Sequence, residues 1–245
     1  MVFEIKKLNI VITGGTSGIG YELVKKLYET NQIIVIAHNT DKLEALKEKF
    51  PNIHIYNADL SKLQDIESVA DILLKKYESI DLLINNAGIQ HTPTFLDDDF
   101  YYQTISREIT LNFTAVCSLC YLLLPSLLHK RPAAIVNINS GLALVPKKTS
   151  AIYCATKGAM NIFSQSLRYQ LEDTNIQVMQ AIMPLVNTPM TLGRGKGKIS
   201  AEKAAERIIY GIEHGIQDHD IGKVKLLRIL MRIAPGLAQR IMKRS

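Results

Sequence analysis

The sequence predicts an α/β fold, a doubly wound parallel sheet with helices on both faces, in a single domain spanning residues 1–245. Short apolar runs alternate with longer stretches of helical period along the chain. Leu82-Leu83-Ile84 and Ala134-Ile135-Val136 are apolar without alternation, as strands buried on both sides require. A glycine-rich turn follows the first run and opens a helix. With 245 residues, 47% hydrophobic and 21% charged, the chain can fill one continuous core.

Strands are expected at Leu8–Thr13, Ile33–Ala37, Ile53–Asn57, Asp81–Asn85, Ala133–Asn139 and Ile176–Met183. Between the second and third, a helix beginning at Asp41 places Leu43, Leu46 and Phe50 on one face and ends at Pro51. Ile66, Val69, Leu73 and Tyr77 repeat that spacing in the next helical stretch. Leu111–Leu128 reads as a buried helix, because Asn112, Thr114, Ser118, Pro125 and Ser126 make it too polar for a membrane span. Thr191–Ser200 carries Gly193, Gly195 and Gly197 among basic residues and reads as a flexible lid.

Composition narrows the functional classes. The N-terminus, Met1 to Lys7, lacks the pattern of a secretory signal. Three cysteines give no disulfide framework, which favours a reducing, cytoplasmic setting. Cys117 and Cys120 fall within the apolar helix and read as core. A net charge of +6 is spread along the chain without an aromatic-basic module, so nucleic acid is not expected. No metal site is expected either: Asp97-Asp98-Asp99 reads as a loop complementing a helix N-terminus, and the dispersed histidines, His214 and His219 among them, as structural.

The first strand runs into Thr13-Gly14-Gly15-Thr16-Ser17-Gly18-Ile19-Gly20. Glycines there let the backbone approach a pyrophosphate, which the free amides at a helix N-terminus then meet. The strand before and the helix after make this read as a dinucleotide site of Rossmann type and not a plain Gly-rich turn. The second strand ends Ala37-His38-Asn39-Thr40, without the carboxylate that holds the ribose hydroxyls of NAD. Nothing there repels a 2′-phosphate, and His38, Asn39, Thr40 and Lys42 offer donors, so NADP is favoured over NAD.

Tyr153 and Lys157, thirteen and seventeen residues past Ser140, share one helix face at i and i+4. A free tyrosine has a pKa of about 10, too high for proton exchange near neutrality, and a neighbouring ammonium favours the phenolate.

Together these residues resemble the short-chain dehydrogenase/reductase family over nearly the whole chain. The likeness rests on Thr13 to Gly20, Asp59-Leu60, Asn85-Asn86-Ala87-Gly88, Asn112, Ser140, Tyr153 and Lys157, in the family's order and spacing. Within the family, Ile84 to Gln90, Ser140 to Ala143, Tyr153 to Lys157 and Pro184-Leu185-Val186-Asn187-Thr188 look like the DltE-like branch.

The resemblance implies an NAD(P)-dependent oxidoreductase working between an alcohol and a carbonyl. It makes Tyr153 the general acid/base, Ser140 the orienting donor, and Asn112 the holder of a relay water. Lys157 would lower the Tyr153 pKa and bind the nicotinamide ribose. Cofactor contacts would come from Gly14, Thr16, Ser17, Gly18, Ile19, Gly20, His38, Asn39, Asp59, Leu60, Asn86, Ala87, Gly88, Pro184, Val186 and Thr188. Two positions depart from the common pattern: Pro184-Leu185 where Pro-Gly is frequent, and His38 where NADP-using relatives often carry Arg. The resemblance also implies a homodimer or homotetramer built through the Leu111–Leu128 helix.

Leu142, Leu144, Val145 and the Leu185–Leu192 segment fit an apolar wall for a small-molecule substrate. From residue 223 to 245 the chain is basic, has no acid and is interleaved with large apolar residues, which fits a docked helix or a peripheral contact with an anionic inner membrane surface. Two other functions fit parts of the sequence: a dinucleotide sensor without turnover, and a peripheral protein of cell-envelope assembly, related to D-alanylation.

Overall fold

The computed structural model describes residues 3–243; Met1 and Val2, and Arg244 and Ser245 of the basic end, lie outside the described residues. The chain runs β1 (Asn9–Thr13), α1 (Gly18–Leu27), β2 (Gln32–Ala37), α2 (Thr40–Lys49), β3 (His54–Asn57), α3 (Leu63–Lys76), β4 (Leu82–Asn85) and α4 (Gln103–Ile109). After a π-helical turn (Thr110–Thr114) come α5 (Ala115–Leu122), α6 (Leu124–Leu127), β5 (Ala133–Ser140), α7 (Ala151–Gln170), β6 (Ile176–Met183), β7 (Val186–Asn187) and β8 (Ile199–Ser200). The chain continues through α8 (Ala201–Glu213), β9 (Asp218–Asp220), α9 (Val224–Ile233) and α10 (Pro235–Lys243).

Among the described residues the main sheet has seven parallel strands in the order β3-β2-β1-β4-β5-β6-β9. The six strands expected from sequence are all in it. The seventh, β9, is Asp218-His219-Asp220 and has no apolar run to announce it; it pairs with β6 through Gln180, Ala181 and Ile182. β1 lies between β2 and β4, so the chain reverses its direction of winding at that point. In such sheets the crevice outside the carboxyl ends at the reversal receives the ligand.

Strand alternation divides the core between the two faces. Ile10 and Ile12 point to one side, where Leu23 and Val24 of α1, Leu43 and Leu46 of α2, and Ala204 and Ile208 of α8 cover them. Val11 points to the other, with Ile66 and Leu73 of α3, Val116 and Leu119 of α5, and Met160 of α7. Each fully buried Ile or Leu contributes about 1.5–3 kcal/mol of transfer free energy. α2 starts one residue before Asp41, because Asn39 Oδ1 accepts from the Lys42 amide at 2.8 Å and caps it.

Three local expectations change. Leu111–Leu128 is not one helix: the π turn occupies its start, and Leu123 with Pro125 separates α5 from α6. Proline cannot donate the hydrogen bond a continuing helix requires at that position. Asp97 does not complement a helix N-terminus, since its Oδ2 accepts from the Thr94 amide at 2.7 Å within its own turn and α4 begins only at Gln103. The Thr191–Ser200 segment is more structured than a free lid. Its end forms β8 on β7, and Arg194 Nη1 donates to Gln90 Oε1 at 2.9 Å.

Candidate active site

The glycine loop lies at the carboxyl end of β1. Gly14 and Gly18 have φ of +68° and +55°, the left-handed region that glycine tolerates without steric cost. Gly20 is required for space instead: a Cβ there would lie 2.2 Å from the Gly14 carbonyl oxygen. Ser17 precedes α1 without a side-chain capping bond among the described residues, which leaves the first amides of the helix to an outside acceptor. Thr188 closes over this loop, 3.1 Å from where a Gly18 Cβ would stand, and its own turn is fixed by a capping box with Thr191. A phosphate-bearing dinucleotide fits this cradle.

Asn86 ties the loop to the neighbouring strand. Its Nδ2 donates to the carbonyls of Thr13 (2.9 Å) and Gly14 (3.1 Å), while Thr13 Oγ1 accepts from the Asn86 and Ala87 amides at 3.0 and 2.9 Å. We expect Asn86→Ala to cost about 1–3 kcal/mol in denaturant unfolding, since two carbonyls lose their donor, and to weaken dinucleotide affinity with it. An unchanged midpoint would show that Asn86 does not hold the loop.

At the far end of the crevice His38 is exposed, and its carbonyl accepts from Asn57 Nδ2 at 3.1 Å. Asp59 Oδ1 accepts from the Ser61 hydroxyl (2.7 Å) and amide (3.0 Å). Burial pushes the Asp59 carboxyl up, but these bonds with Arg107 and Lys62 outweigh it and hold it below the usual carboxylate range. Leu60 is buried in the core. Gly88 lies against Asn112, with a Cβ position 3.1 Å from its Oδ1.

The polar cluster sits across the crevice, at the ends of β4 and β5 and on α7. Asn112, in the π turn, is fully buried; its Oδ1 accepts from the Ile89 amide, and its Nδ2 donates to the Ile89 carbonyl, both at 2.9 Å. The same Nδ2 reaches Thr156 Oγ1 at 3.4 Å, and Thr156 Oγ1 donates to the Tyr153 carbonyl at 2.8 Å. Asn139 Oδ1 accepts from the Ser140 amide at 2.8 Å, and Asn139 Nδ2 donates to Gln180 Oε1 at 2.9 Å. A π turn adds one residue to the helical cycle and is frequent where a side chain must be re-aimed at a site.

Ser140, at the end of β5, lies near the Tyr153 side chain on α7, and Lys157 Nζ lies 5.7 Å from the centre of the Tyr153 ring. Lys157 is buried and donates to the Ile138 carbonyl at 2.8 Å. The lowering of Tyr153 expected from Lys157 is not found: burial pushes the phenol up to about 12, and the nearby Ser140 hydroxyl and the positive charge of Arg194 offset this only in part. Burial lowers Lys157 to about 8. The structure thus collects Asn112, Ser140, Tyr153 and Lys157 in one place, and sets His38, Asn39 and Asp59 at the opposite end, beyond the glycine loop.

The chain has the short-chain dehydrogenase signature over residues 8–198. It is 35% identical over 89% of its length to an oxidoreductase of Bacillus subtilis (strain 168), DltE, of which 90% is covered. The chain belongs to the short-chain dehydrogenase family. A fatty acyl-CoA reductase of Acinetobacter baylyi is 27% identical over 85% of the chain and 74% of the relative. Among solved structures, a short-chain dehydrogenase of Burkholderia cenocepacia in complex with NADP superposes with a TM-score of 0.87 over 98% of this chain and 99% of that one, at 20% identity.

Sequence reasoning passed over several residues that the structure brings into this cluster. Glu108 is buried, accepts from the His91 amide at 3.2 Å and is pushed up to about 7 by burial. Arg194 interacts with Tyr153 electrostatically from the Thr191–Ser200 segment, and Gln90, its partner, donates to Ser150 Oγ at 3.1 Å. Thr156 and Gln180 support Tyr153 and Ser140. Gln90 and Thr156 fall inside the motif stretches but carry no role there, while Glu108, Arg194 and Gln180 belong to no short motif; only the polar residues interrupting the apolar pattern of β5 and β6 hinted at such a network. Cys120 is buried, and burial pushes its thiol up to about 12, where it stays protonated.

Proposed function

We propose that this protein is an NADP(H)-dependent oxidoreductase that interconverts an alcohol and a carbonyl, with Tyr153 as its general acid/base. The observation that carries the reading is the gathering of Ser140 at the end of β5 with Tyr153 and the buried Lys157 of α7, across the crevice from a glycine loop shaped for a pyrophosphate. The cofactor supplies or accepts the hydride. Ser140 fixes the substrate oxygen near Tyr153, whose hydroxyl gives its proton to that oxygen in the reductive direction and recovers it in the other. Lys157 supplies a positive charge and donors beside the phenol and toward a ribose, and Asn112 shapes the floor of the site through Ile89 and Thr156. Asp59 meets the adenine end.

The choice of NADP is supported by the lack of a carboxylate at the end of β2 and by the NADP complex of the Burkholderia cenocepacia structure. His38→Asp puts a negative charge where the 2′-phosphate would lie. We expect it to lower kcat/KM for NADPH relative to NADH by about 10–100-fold, read from initial rates with both cofactors. A ratio that does not move would place the 2′ end elsewhere.

The family likeness also supports a homo-oligomer. The outer faces of α5 and α7 carry Tyr121, Ile162 and Tyr169, each more than 65% exposed, on the surface next to the Leu111–Leu128 segment. Light scattering of the full chain tests this, with a monomeric mass as the contrary result.

A further inference from the structure

The C-terminal helices α9 and α10 carry an apolar stripe on the outside of the molecule. Leu226, Ile229, Ile233, Leu237 and Ile241 are 48–77% exposed and follow one another at intervals of three, four, four and four residues. That spacing puts Leu226, Ile229 and Ile233 on one face of α9, and Leu237 and Ile241 on one face of α10, the two helices being separated by the non-helical Ala234. The opposite side is attached to the fold: Val224 and Ala238 are buried, and Val224 and Leu227 lie 3.4 and 3.5 Å from where a Cβ on Gly141 would stand. The stripe is therefore the outer side of a docked element and is not surplus core.

Its flanks are cationic. Lys223, Lys225, Arg228, Arg232, Arg240 and Lys243 occur between residues 223 and 243, with no Asp or Glu. Arg228 is paired with Asp220, its Nη2 2.8 Å from the carboxylate. The other five form no ion pair among the described residues. A second copy of this face would bring cations against cations in a two-fold contact. An anionic lipid surface answers both features, because it takes large apolar side chains below the headgroups and attracts the flanking cations. Among the described residues no helix is long and apolar enough to cross a membrane, so contact would lie in the plane of the interface.

We propose that α9 and α10 form a docking surface for an anionic bilayer. The surface adjoins the candidate active site: α9 rests on Gly141, next to Ser140; Gly222, just before it, lies against Pro184; and Lys223 reaches Gly197 in the Thr191–Ser200 segment. Docking would turn the substrate end of the crevice toward the lipid. The proposal does not depend on the reaction assigned above.

The test is sedimentation of the full chain with vesicles of phosphatidylglycerol and phosphatidylcholine in equal parts, and with pure phosphatidylcholine. Wild type is expected to pellet with the mixed vesicles only and to be released by salt. Lys225→Gln and Arg232→Gln should each weaken partitioning about fivefold, and Ile229→Ser with Ile233→Ser should abolish it while leaving the melting temperature in place. Wild type remaining in the supernatant of mixed vesicles overturns the proposal. So does an oligomeric mass that falls on Ile229→Ser with Ile233→Ser, which would make the stripe a contact between copies.

Discussion

Tyr153→Phe is expected to lower kcat for carbonyl reduction by about 10²–10⁴-fold while leaving the affinity for NADPH within twofold of wild type. The substitution removes one oxygen, keeps the ring that packs beside Lys157, and leaves the glycine loop across the crevice untouched. Stopped-flow turnover on a panel of ketones and aldehydes, with fluorescence titration of NADPH, separates the two effects. Retained turnover would remove Tyr153 from the proton transfer. Binding without turnover even in wild type would favour a dinucleotide sensor.

The pH dependence has a definite sign. Tyr153 is pushed up to about 12, so it is a phenol, the form that donates a proton to a carbonyl, throughout the neutral range. Lys157 is lowered to about 8 and loses its charge above that pH. Because kcat/KM reports groups of the free enzyme, reduction should hold steady below about pH 8 and decline above it. The reverse reaction needs the phenolate and should rise with pH until Lys157 discharges. A reductive profile that climbs through pH 8 contradicts this assignment.

The second large effect is expected at Gly20. Gly20→Val places a branched side chain where even a Cβ is 2.2 Å from the Gly14 oxygen and 2.6 Å from Asn86 Nδ2. The loop must move away from Thr13 and Asn86, giving up bonds that shape the pyrophosphate cradle. We expect NADPH affinity to fall at least about 100-fold, alongside a stability loss of about 1–3 kcal/mol from overpacking. Gly158→Ala is the control, since its Cβ would meet nothing within 4 Å. Titration and thermal unfolding of both variants give the comparison, and equal affinities would show that the loop does not carry the pyrophosphate.

Much of the fold was legible because the signals are local. Apolar runs such as Leu82-Leu83-Ile84 require burial on both sides, and the turn from Thr13 to Gly20 needs glycines that the chain states outright. Asn112, Ser140, Tyr153 and Lys157 could be named from spacing and family likeness, since a helix places i and i+4 on one face wherever it docks.

Tertiary structure decided what depends on contacts between distant segments. β9 is polar and three residues long, so only its pairing with β6 makes it a strand. The break of the Leu111–Leu128 segment into a π turn and two helices places Asn112 against Ile89, a contact with no local signature. Arg194 meets Gln90 across 104 positions, and Glu108 is raised by surroundings gathered from other elements. Burial raises Tyr153 and lowers Lys157 because both leave water together, a balance that i, i+4 spacing cannot reveal. The sequence by itself determined which groups have the chemistry; packing determined how far each is from water and which of them meet.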